Sequence, residues 1–434
     1  MNRVLSSLCL AAVSLSAQVF QTAIAPGKAS PIAVTVLPDA ACKLSGHGDS
    51  GISHSLTLYS DDQGHIRFHA QTTAESIAPA NLSLQCQAGS QIKDYSIEIT
   101  ANAALAASSA PDIAAPPRSS SNIRPPLTGD PMAPTQPELL NRGYPMRPDP
   151  NQQPEAYATW LLMVTTPTPI ISPKFVQEPN RFHAVANPNP GTNPVLPTTG
   201  FSGNWSGLVL YQDNRPGDPF PPAPYSMVWA EWYVPAVTGE PDIQDDSAFW
   251  TGMDGWGSKN VLQAGTEQQI FTLSIVGIQF TITNYYAWSE FYPLPESRVT
   301  DFPISPGDHI VAQVWQTFEN GQPVQNGNCM IANLTHPGFL TFPILPPPGT
   351  IFSGNTAEWI MERPTVGGVW PDLSNYHAAT MFNAFAVRSD LTTVNSSGNS
   401  LSLNLTMANA NYVPLSQVTP TSNTSMSFQW LGFK

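Results

Sequence analysis

Residues 247–267, SAFWTGMDGWGSKNVLQAGTE, decide the fold. Two short runs with β-strand character, 248–253 and 260–265, flank the polar turn 254–258. Two glycines stand in this turn, and glycine readily adopts the positive φ angles that a tight hairpin turn needs. The pattern predicts a β-hairpin.

Side chains alternate between the two faces of a strand, and this alternation sorts the polar residues of the hairpin. In its second run Gln263 and Glu267 share one face, so an uncharged amide lies near a carboxylate. The same rule places Glu358 and Glu362 on one face of a later run, residues 355–363 (NTAEWIMER). We expect Gln263 and Glu358 to face each other across one groove.

The 434-residue chain is acidic and poor in charge, with a formal net charge of −14 and only 11% charged residues. Proteins average about 25%. From residue 201 onward there are 6 basic and 18 acidic residues. Such a domain does not bind nucleic acid. It suits an acidic medium, where carboxylates protonate and their repulsion fades, although a merely soluble acidic protein has the same charge.

The N-terminus has the pattern of a secretory signal. Arg3 supplies the positive charge, residues 4–19 are apolar apart from scattered serines and Gln18, and residues 23–25 form an A-x-A cleavage site, with Ala17 as an earlier option. No other run is long and apolar enough to span a bilayer. We therefore expect a signal peptide over residues 1–25 and a secreted protein without membrane association after cleavage.

Secretion places the cysteines in an oxidising compartment, where disulfides form. Cys9 leaves with the signal peptide, so Cys42, Cys86 and Cys329 remain. We predict a disulfide between Cys42 and Cys86 and a free Cys329.

The composition divides the rest of the chain into three parts. Residues 26–105 contain short alternating strands and predict a small all-β sandwich domain. Residues 106–200 are rich in proline and predict a linker or pro-segment, with one apolar run, YATWLLMV, that is able to pack on the following domain. Residues 201–434 contain about a dozen candidate strands and no convincing amphipathic helix. They predict one antiparallel β-sandwich with a concave face.

Seven short blocks occur in order within this last part. They are NWSG (204–207), WYVPAV (232–237), FWTGMDG (249–255), LQAGTE (262–267), YAWSEFYP (286–293), ISPGDHI (304–310) and TAEWIME (356–362). The set resembles the glutamic peptidases, or eqolisins, over about residues 201–390. The resemblance does not extend to the N-terminal β domain or the proline-rich segment, and it implies a concanavalin-like pair of antiparallel sheets.

The resemblance also implies a catalytic pair. The family's Gln matches Gln263 and its Glu matches Glu358, although fungal members carry an Asp where Glu267 stands and often a Cys where this chain has Trp256. The chemistry is coherent without the family. A carboxylate activates water and then protonates the leaving amine, while an amide that never ionises stabilises the oxyanion.

The other candidate residues are assigned supporting roles. Trp250 is expected to wall the groove, and Asp254, Glu290 and Glu362 are expected to bind substrate or to tune Glu358. The zinc-peptidase motif H-E-x-x-H and the serine-hydrolase motif G-x-S-x-G are both absent from the sequence, so we expect neither a metal nor another cofactor.

These observations favour a secreted, acid-acting endopeptidase that is a monomer and acts on proteins and peptides. We expect the active form to begin between about residues 157 and 204, because exposed linkers are where nicking concentrates. A glycoside hydrolase or carbohydrate-binding sandwich, with Glu290 and Glu358 as its carboxylate pair, is the main alternative. A cell-surface adhesion module with a decayed site is the third hypothesis.

Overall fold

The computed structural model describes residues 18–72, 80–101, 123–169, 171–186, 199–211, 223–241, 243–276, 278–319, 322–399 and 401–434. The described residues form 29 strands and two helices, and the chain is nearly all-β. The N-terminal strands are β1 (Gln18–Ile24), β2 (Ser30–Thr35), β3 (Ala41–His47), β4 (Ser53–Tyr59), β5 (His65–Thr72), β6 (Ala80–Ala88) and β7 (Gln91–Ala101). The middle elements are β8 (Ile123–Arg124), α1 (Gln136–Asn141), α2 (Pro154–Thr165), β9 (Thr168–Pro169), β10 (Phe175–Gln177) and β11 (Arg181–Phe182).

The strands of the large domain follow in chain order. They are β12 (Thr199–Ser202), β13 (Trp205–Tyr211), β14 (Tyr225–Tyr233), β15 (Gln244–Asp254), β16 (Val261–Ile275), β17 (Ile278–Tyr292), β18 (Ser297–Pro303), β19 (His309–Glu319), β20 (Gln322–Asn333), β21 (Gly338–Ile344), β22 (Thr356–Glu362), β23 (Thr365–Val366), β24 (Asp372–Leu373), β25 (Ala378–Arg388), β26 (Thr393–Asn395), β27 (Ser402–Ala408), β28 (Pro414–Ser422) and β29 (Ser425–Trp430).

The large domain consists of two packed sheets. The first has the order β12-β27-β13-β22-β15-β16-β17-β18-β10, and all its pairings are antiparallel except β12 with β27. The second has the order β29-β25-β14-β19-β20-β21, and β28 joins it to the first sheet by pairing with β27 and β29. The expected antiparallel β-sandwich is confirmed.

The main core lies between these two sheets. Its apolar side chains are fully buried and include Leu208, Met253, Leu262 and Trp359 from the first sheet and Val228, Trp232, Ile310 and Ile331 from the second. Each such side chain contributes about 1.5–3 kcal/mol by leaving water. Since Leu262 points into this core, its neighbour Gln263 points to the opposite, concave face of the first sheet, as the alternation predicts.

The outer face of the second sheet is covered by the chain that precedes the large domain. Helix α2 begins at Pro154, and proline is favoured in a first helical turn because its missing N–H has no partner there in any case. Its Trp160 and Met163 are buried against Trp229 and Trp315 of the second sheet. The apolar run YATWLLMV therefore packs on the large domain.

The N-terminal strands form a second, smaller sandwich that shares its core with the large domain. One sheet has the order β1-β7-β6-β3-β4, and the disulfide between Cys42 and Cys86 joins its adjacent strands β3 and β6. The facing sheet continues from β2 through β5 to β17 and β16 of the large domain. Phe271 and Ile282, near the tip of that long hairpin, lie in the core of the small sandwich.

Two further features concern the N-terminus and the membrane question. Residues 18–24, inside the expected signal peptide, form β1, which pairs in parallel with β7. Among the described residues, no helix has both the length and the apolar character needed to cross a membrane.

Candidate active site

Gln263 and Glu358 lie on the same face of the first sheet, on either side of one residue of β15. Gly252 of β15 pairs in register with Gln263 of β16 on one side and with Glu358 of β22 on the other. The two residues are thus two strands apart, about 10 Å between their backbones. A Cβ atom at Gly252 would lie 3.1 Å from the Cβ of Gln263, so the glycine keeps the space between the two side chains open.

Several polar atoms of this pair have no protein partner. The Oε1 of Gln263 and both carboxylate oxygens of Glu358 are buried and make no hydrogen bond of ordinary geometry to a described residue. Buried polar atoms are nearly always hydrogen-bonded, to protein or to water. These three oxygens are therefore placed to bind a small polar molecule between the two side chains.

The surroundings of Glu358 favour its neutral form. Burial raises the pKa of Glu358 well above its ordinary value, and the charge of Asp254 raises it further. The Thr356 hydroxyl and the Trp256 backbone N–H oppose this by favouring the carboxylate. Desolvation is the largest of these influences, so the surroundings favour the neutral carboxyl group over the carboxylate.

Asp254 fixes the chain that leads into β22. Its carboxylate accepts hydrogen bonds from the backbone N–H of Ser353 at 2.9 Å, from the Ser353 hydroxyl at 2.7 Å and from the backbone N–H of Asn355 at 2.9 Å. Burial raises the pKa of Asp254, and these hydrogen bonds act in the opposite direction. Asp254 thus positions the start of the strand that carries Glu358.

A second group of carboxylates lies next to the pair on the same face. Glu290 of β17 pairs in register with Gln263, and Glu362 lies two alternations beyond Glu358 on the same face of β22. The Trp250 indole donates to Glu362 Oε2 at 2.8 Å and is fully buried, so it forms part of the wall. Of the predicted residues, Trp250, Asp254, Glu290 and Glu362 all lie around Gln263 and Glu358.

Two basic residues that the sequence analysis did not single out, Arg181 and His183, lie among these carboxylates. Arg181 donates to Asp246 Oδ2 at 3.0 Å and to Glu267 Oε1 at 2.7 Å. The ring of His183 stacks on Trp288 with 3.5 Å between ring centroids. Neither residue belongs to a recognisable motif, and both come from the proline-rich part of the chain, so only the three-dimensional structure brings them to the groove.

Both nitrogens of the His183 ring lie close to carboxylate oxygens. Its Nε2 lies 2.8 Å from Glu296 Oε2 and 3.7 Å from Glu267 Oε2, and its Nδ1 lies 3.3 Å from Glu362 Oε2. Burial lowers the pKa of His183, whereas burial raises the pKa of Glu362 and raises that of Glu296 to about 7. Both partners are therefore driven towards their neutral forms.

His183, Glu267 and Glu296 also have the composition of a metal site. The 2.8 Å separation between His183 and Glu296 is a hydrogen bond, while two ligands of a tetrahedral zinc ion lie about 3.3 Å apart. Glu267 is in addition paired with the Arg181 guanidinium, whose charge repels a cation. The arrangement suits a shared proton better than a metal ion.

Comparison with known proteins places the large domain in context. Residues 203–430 match the family model described as the Peptidase A4 family. Aspergillopepsin-2 of Aspergillus niger is 27% identical over 207 residues, which cover 43% of this chain and 64% of that protein. The chain thus spans less than two thirds of the length of this relative.

Solved structures with a similar fold include two peptidases. Scytalido-glutamic peptidase in complex with a peptide-based transition-state analogue is 19% identical, covers 53% of this chain and 98% of its own, and gives a TM-score of 0.41. SCP-B, a member of the eqolisin family in complex with the tripeptide Ala-Ile-His, is 18% identical with the same coverage and a TM-score of 0.38.

Proposed function

The chain belongs to the peptidase A4 family of glutamic peptidases, and from this membership we propose that it is a secreted endopeptidase that hydrolyses peptide bonds in an acidic medium. The observation that carries the proposal is the pairing of Gln263 and Glu358 on the two sides of Gly252. Proteins and peptides are its substrates, and it acts as a monomer. Its acidic, cation-poor large domain supports a role in acid, where repulsion among carboxylates is weakest.

Glu358 acts first as a base and then as an acid. It takes a proton from a water molecule held between its carboxylate and the Oε1 of Gln263, and the hydroxide adds to the carbonyl carbon of the peptide bond. The C–N bond then breaks, and Glu358 returns the proton to the departing amide nitrogen. The products are a new carboxylic acid and a new amine, and Glu358 is regenerated.

Gln263 stabilises the oxyanion that forms in between. Its Nε2–H group is the donor, and loss of one such donor typically lowers turnover about 100- to 1,000-fold. An amide has no ionisation in the physiological range, so it keeps this role at any pH. Gln263 Nε2 makes a hydrogen bond of the same kind within the chain, because it donates to the backbone carbonyl oxygen of His183 at 2.6 Å.

The test is peptidase activity of the purified protein on casein between pH 2 and 8. Glu358→Gln is expected to lose activity by about 100- to 10,000-fold because the base is removed. Gln263→Ala is expected to lose about 100- to 1,000-fold. Asp390→Asn makes the same change from carboxylate to amide, and Gln417→Ala the same truncation, at exposed positions of the same domain, and both variants should retain full activity.

Three results would contradict the proposal. One is full activity in both site variants, and another is an optimum at neutral pH or above. The third is hydrolysis of a polysaccharide without hydrolysis of casein, which would favour a glycoside hydrolase with Glu290 and Glu358 as its carboxylates.

A further inference from the structure

The small sandwich lies at one end of the groove. Gln263 and Phe271 are eight residues apart in β16, so strand alternation places them on the same face. Their partners in β17, Glu290 and Ile282, lie on that face too. Phe271 and Ile282 are buried in the core of the small sandwich. The face that carries the candidate pair therefore runs for about 27 Å along the hairpin and then passes beneath the small sandwich, which forms an end wall.

Arg298 of β18 joins the two domains at this end wall. Its guanidinium carbon lies 3.9 Å from the ring centroid of Tyr286 in β17 and 5.0 Å from that of Tyr59 in β4 of the small sandwich. Its Nη1 donates to the backbone carbonyl of Thr57 at 3.1 Å, and its Nη2 donates to Asn284 Oδ1 at 3.3 Å. The Arg298 side chain is thus held by both domains at once.

These contacts leave the Arg298 charge suited to an anionic partner. Both acceptors are neutral, and the buried Nε makes no hydrogen bond of ordinary geometry to a described residue. Glu296 is near enough for its charge to interact with Arg298, but burial raises the pKa of Glu296 to about 7, so below that pH it does not neutralise the guanidinium. A carboxylate is a strong partner for a guanidinium, because it accepts charge-assisted hydrogen bonds.

The chain's own Glu178 shows that a carboxylate fits here. Glu178 directly follows β10, which pairs with β18, and its backbone N–H donates to the Glu296 carbonyl at 3.0 Å. Burial raises the pKa of Glu178, whereas the charge of Arg298 and the hydroxyl of Tyr59 favour its ionised form. Burial and the Glu178 charge raise the pKa of Tyr59, so its hydroxyl stays protonated and is able to donate.

Glu178 belongs to the stretch of chain that lies in the groove. Further along this stretch, Arg181 donates to Glu267 Oε1 at 2.7 Å, and the His183 carbonyl accepts from Gln263 Nε2 at 2.6 Å. The stretch therefore runs from the small sandwich towards the candidate pair in the direction of the chain. A substrate that takes its place in the same direction has its N-terminal residues next to the end wall.

Strand geometry gives the position of an acidic residue in such a substrate. Tyr286, which stacks on Arg298, lies four positions from Glu290 in β17, about 14 Å away. A fully extended peptide covers this distance in about four to five residues. In the protein's own chain the turn at residues 178–181 shortens the path, because the N–H of residue 181 donates to the carbonyl of residue 178 at 2.9 Å. We therefore expect the fourth or fifth residue before the cut bond to reach the end wall.

We propose that the small sandwich forms one end of the substrate groove in the active enzyme, and that Tyr59 and Arg298 together bind an acidic side chain of the substrate there. The proposal rests on the proposed peptidase function and gives it a substrate class, peptides with Asp or Glu four or five residues before the cut bond. Tyr59 donates its O–H and Arg298 its N–H groups to the carboxylate. Tyr59 lies in the domain to which the family resemblance does not extend, so the resemblance does not imply this preference.

The experiment compares peptides that differ in one residue. The protein is held at pH 4 until its rate on casein is constant and is then assayed at pH 5, where a glutamate side chain, with an ordinary pKa of about 4.3, is ionised. The peptides share one cleavage site and carry either Glu or Gln at a single position before it. At the fourth or fifth position, kcat/KM should be about 10-fold higher with Glu than with Gln. At the other positions Glu should give no such advantage, and at pH 3, where the peptide carboxylate is protonated, the advantage should disappear.

Two substitutions locate the preference. Arg298→Gln should bring the ratio of the two rates to about 1, and Tyr59→Phe, which removes only the hydroxyl, should lower it about 2- to 5-fold. Arg147→Gln is the matched control for the first, because Arg147 also lies over an aromatic ring, that of Trp160, and donates to backbone carbonyls outside the groove. Tyr233→Phe, at an exposed position of the second sheet, is the control for the other. Both controls should keep the wild-type ratio.

A shorter peptide separates loss of this contact from loss of the fold. A peptide that begins three residues before the cut bond does not reach the end wall, so its kcat/KM should be the same in the wild type, Arg298→Gln and Tyr59→Phe. If Arg298→Gln loses activity on the short peptide as well, its fold has changed, and Tyr59→Phe decides the outcome.

The outcomes separate this inference from the proposed function. Peptides that are cut equally well with Glu and with Gln at every position overturn the inference and leave the peptidase function standing. A preference for Glu that Tyr59→Phe leaves at the wild-type ratio does the same, because the small sandwich then takes no part in it. Absence of hydrolysis of casein and of every peptide overturns both.

Discussion

Gln263 and Glu358 face the same residue, Gly252, from the two strands that flank it. The middle strand thus contributes no side chain at the position where the two polar groups converge. A Cβ atom at residue 252 would approach the Leu262 carbonyl oxygen and the Trp250 ring to 2.9 Å each, closer than real contacts allow. The distance between the pair is consequently set by a glycine rather than by a side chain that could adjust.

Gly252→Ala is expected to reduce kcat/KM on casein about 10- to 100-fold, because the methyl group displaces Gln263 from the position opposite Glu358. Overpacking of this kind also lowers the free energy of unfolding by about 1–3 kcal/mol. Gly432→Ala is the control, since its Cβ would meet only ordinary contacts at 3.9 Å. Activity and Tm should be measured together, and unchanged activity would show that Gly252 does not set the geometry of the pair.

The buried carboxylates predict how stability depends on pH. Burial raises the pKa of Glu290 and Glu358 well above ordinary values and that of Glu296 to about 7. The folded state therefore binds more protons than the unfolded chain, whose carboxylates titrate near about 4. With respect to these groups, the folded state is therefore most stable below about pH 4. Its stability falls as the pH rises towards the folded-state pKa values.

The contribution of His183 to the free energy of unfolding changes with pH in the opposite direction to that of these carboxylates. Burial lowers its pKa below its unfolded value of about 6.5, so its contribution is present above that pH and is lost as the pH falls. We expect the Tm of the uncut Glu358→Gln protein to fall between pH 5 and 8, and Glu296→Gln added to it should flatten that fall. A Tm that rises with pH over this range would contradict the assignment.

The sequence predicts one side of the groove and not the other. Gln263, Glu358, Glu290 and Glu362 are found by strand alternation, because a period of two assigns each side chain to a face once the strand is recognised. Arg181 and His183 are not found in this way. Their position depends on contacts between residues that are far apart in sequence, and no local pattern encodes those contacts.

The small sandwich shows the same limit of prediction from the sequence. Its alternating strands are visible in the sequence, but half of its second sheet comes from β16 and β17, almost 200 residues further along the chain. A hairpin with 15-residue strands is long enough, at about 3.4 Å per residue, to serve two cores at once. Sequence patterning identifies such strands without indicating which core each end enters.

This shared core predicts that the two parts would remain together if the chain were cut in the proline-rich part that joins them. Phe271, Leu273, Phe280 and Ile282 of the hairpin are buried among side chains of the small sandwich, and β5 pairs with β17. After such a cut by an added protease, the N-terminal fragment should therefore co-elute with the large domain in size-exclusion chromatography at pH 4.

Leu273→Ala should weaken this association, since such truncations cost about 2–5 kcal/mol in a core. Val276→Asn, at an exposed position of the same hairpin, is the control. Separation of the two fragments from the wild-type protein without denaturant would show that the shared core does not hold them.

Glu290 provides the last prediction, because it separates substrate binding from chemistry. Its carboxylate accepts the backbone N–H of His183, whose carbonyl accepts from Gln263, so we expect Glu290 to bind the main chain of a substrate rather than the reacting carbonyl. Glu290→Ala removes that acceptor, and a buried N–H group left without a partner costs about 1–3 kcal/mol. KM should rise about 10- to 100-fold while kcat changes little, as expected for an interaction made equally in the ground and transition states. Glu290→Gln keeps an acceptor oxygen at the same place and should recover much of the affinity. If Glu290→Ala instead abolishes kcat and leaves KM unchanged, Glu290 takes part in the chemistry, and the pair of carboxylates Glu290 and Glu358 replaces the pair of Gln263 and Glu358 as the better account of the site.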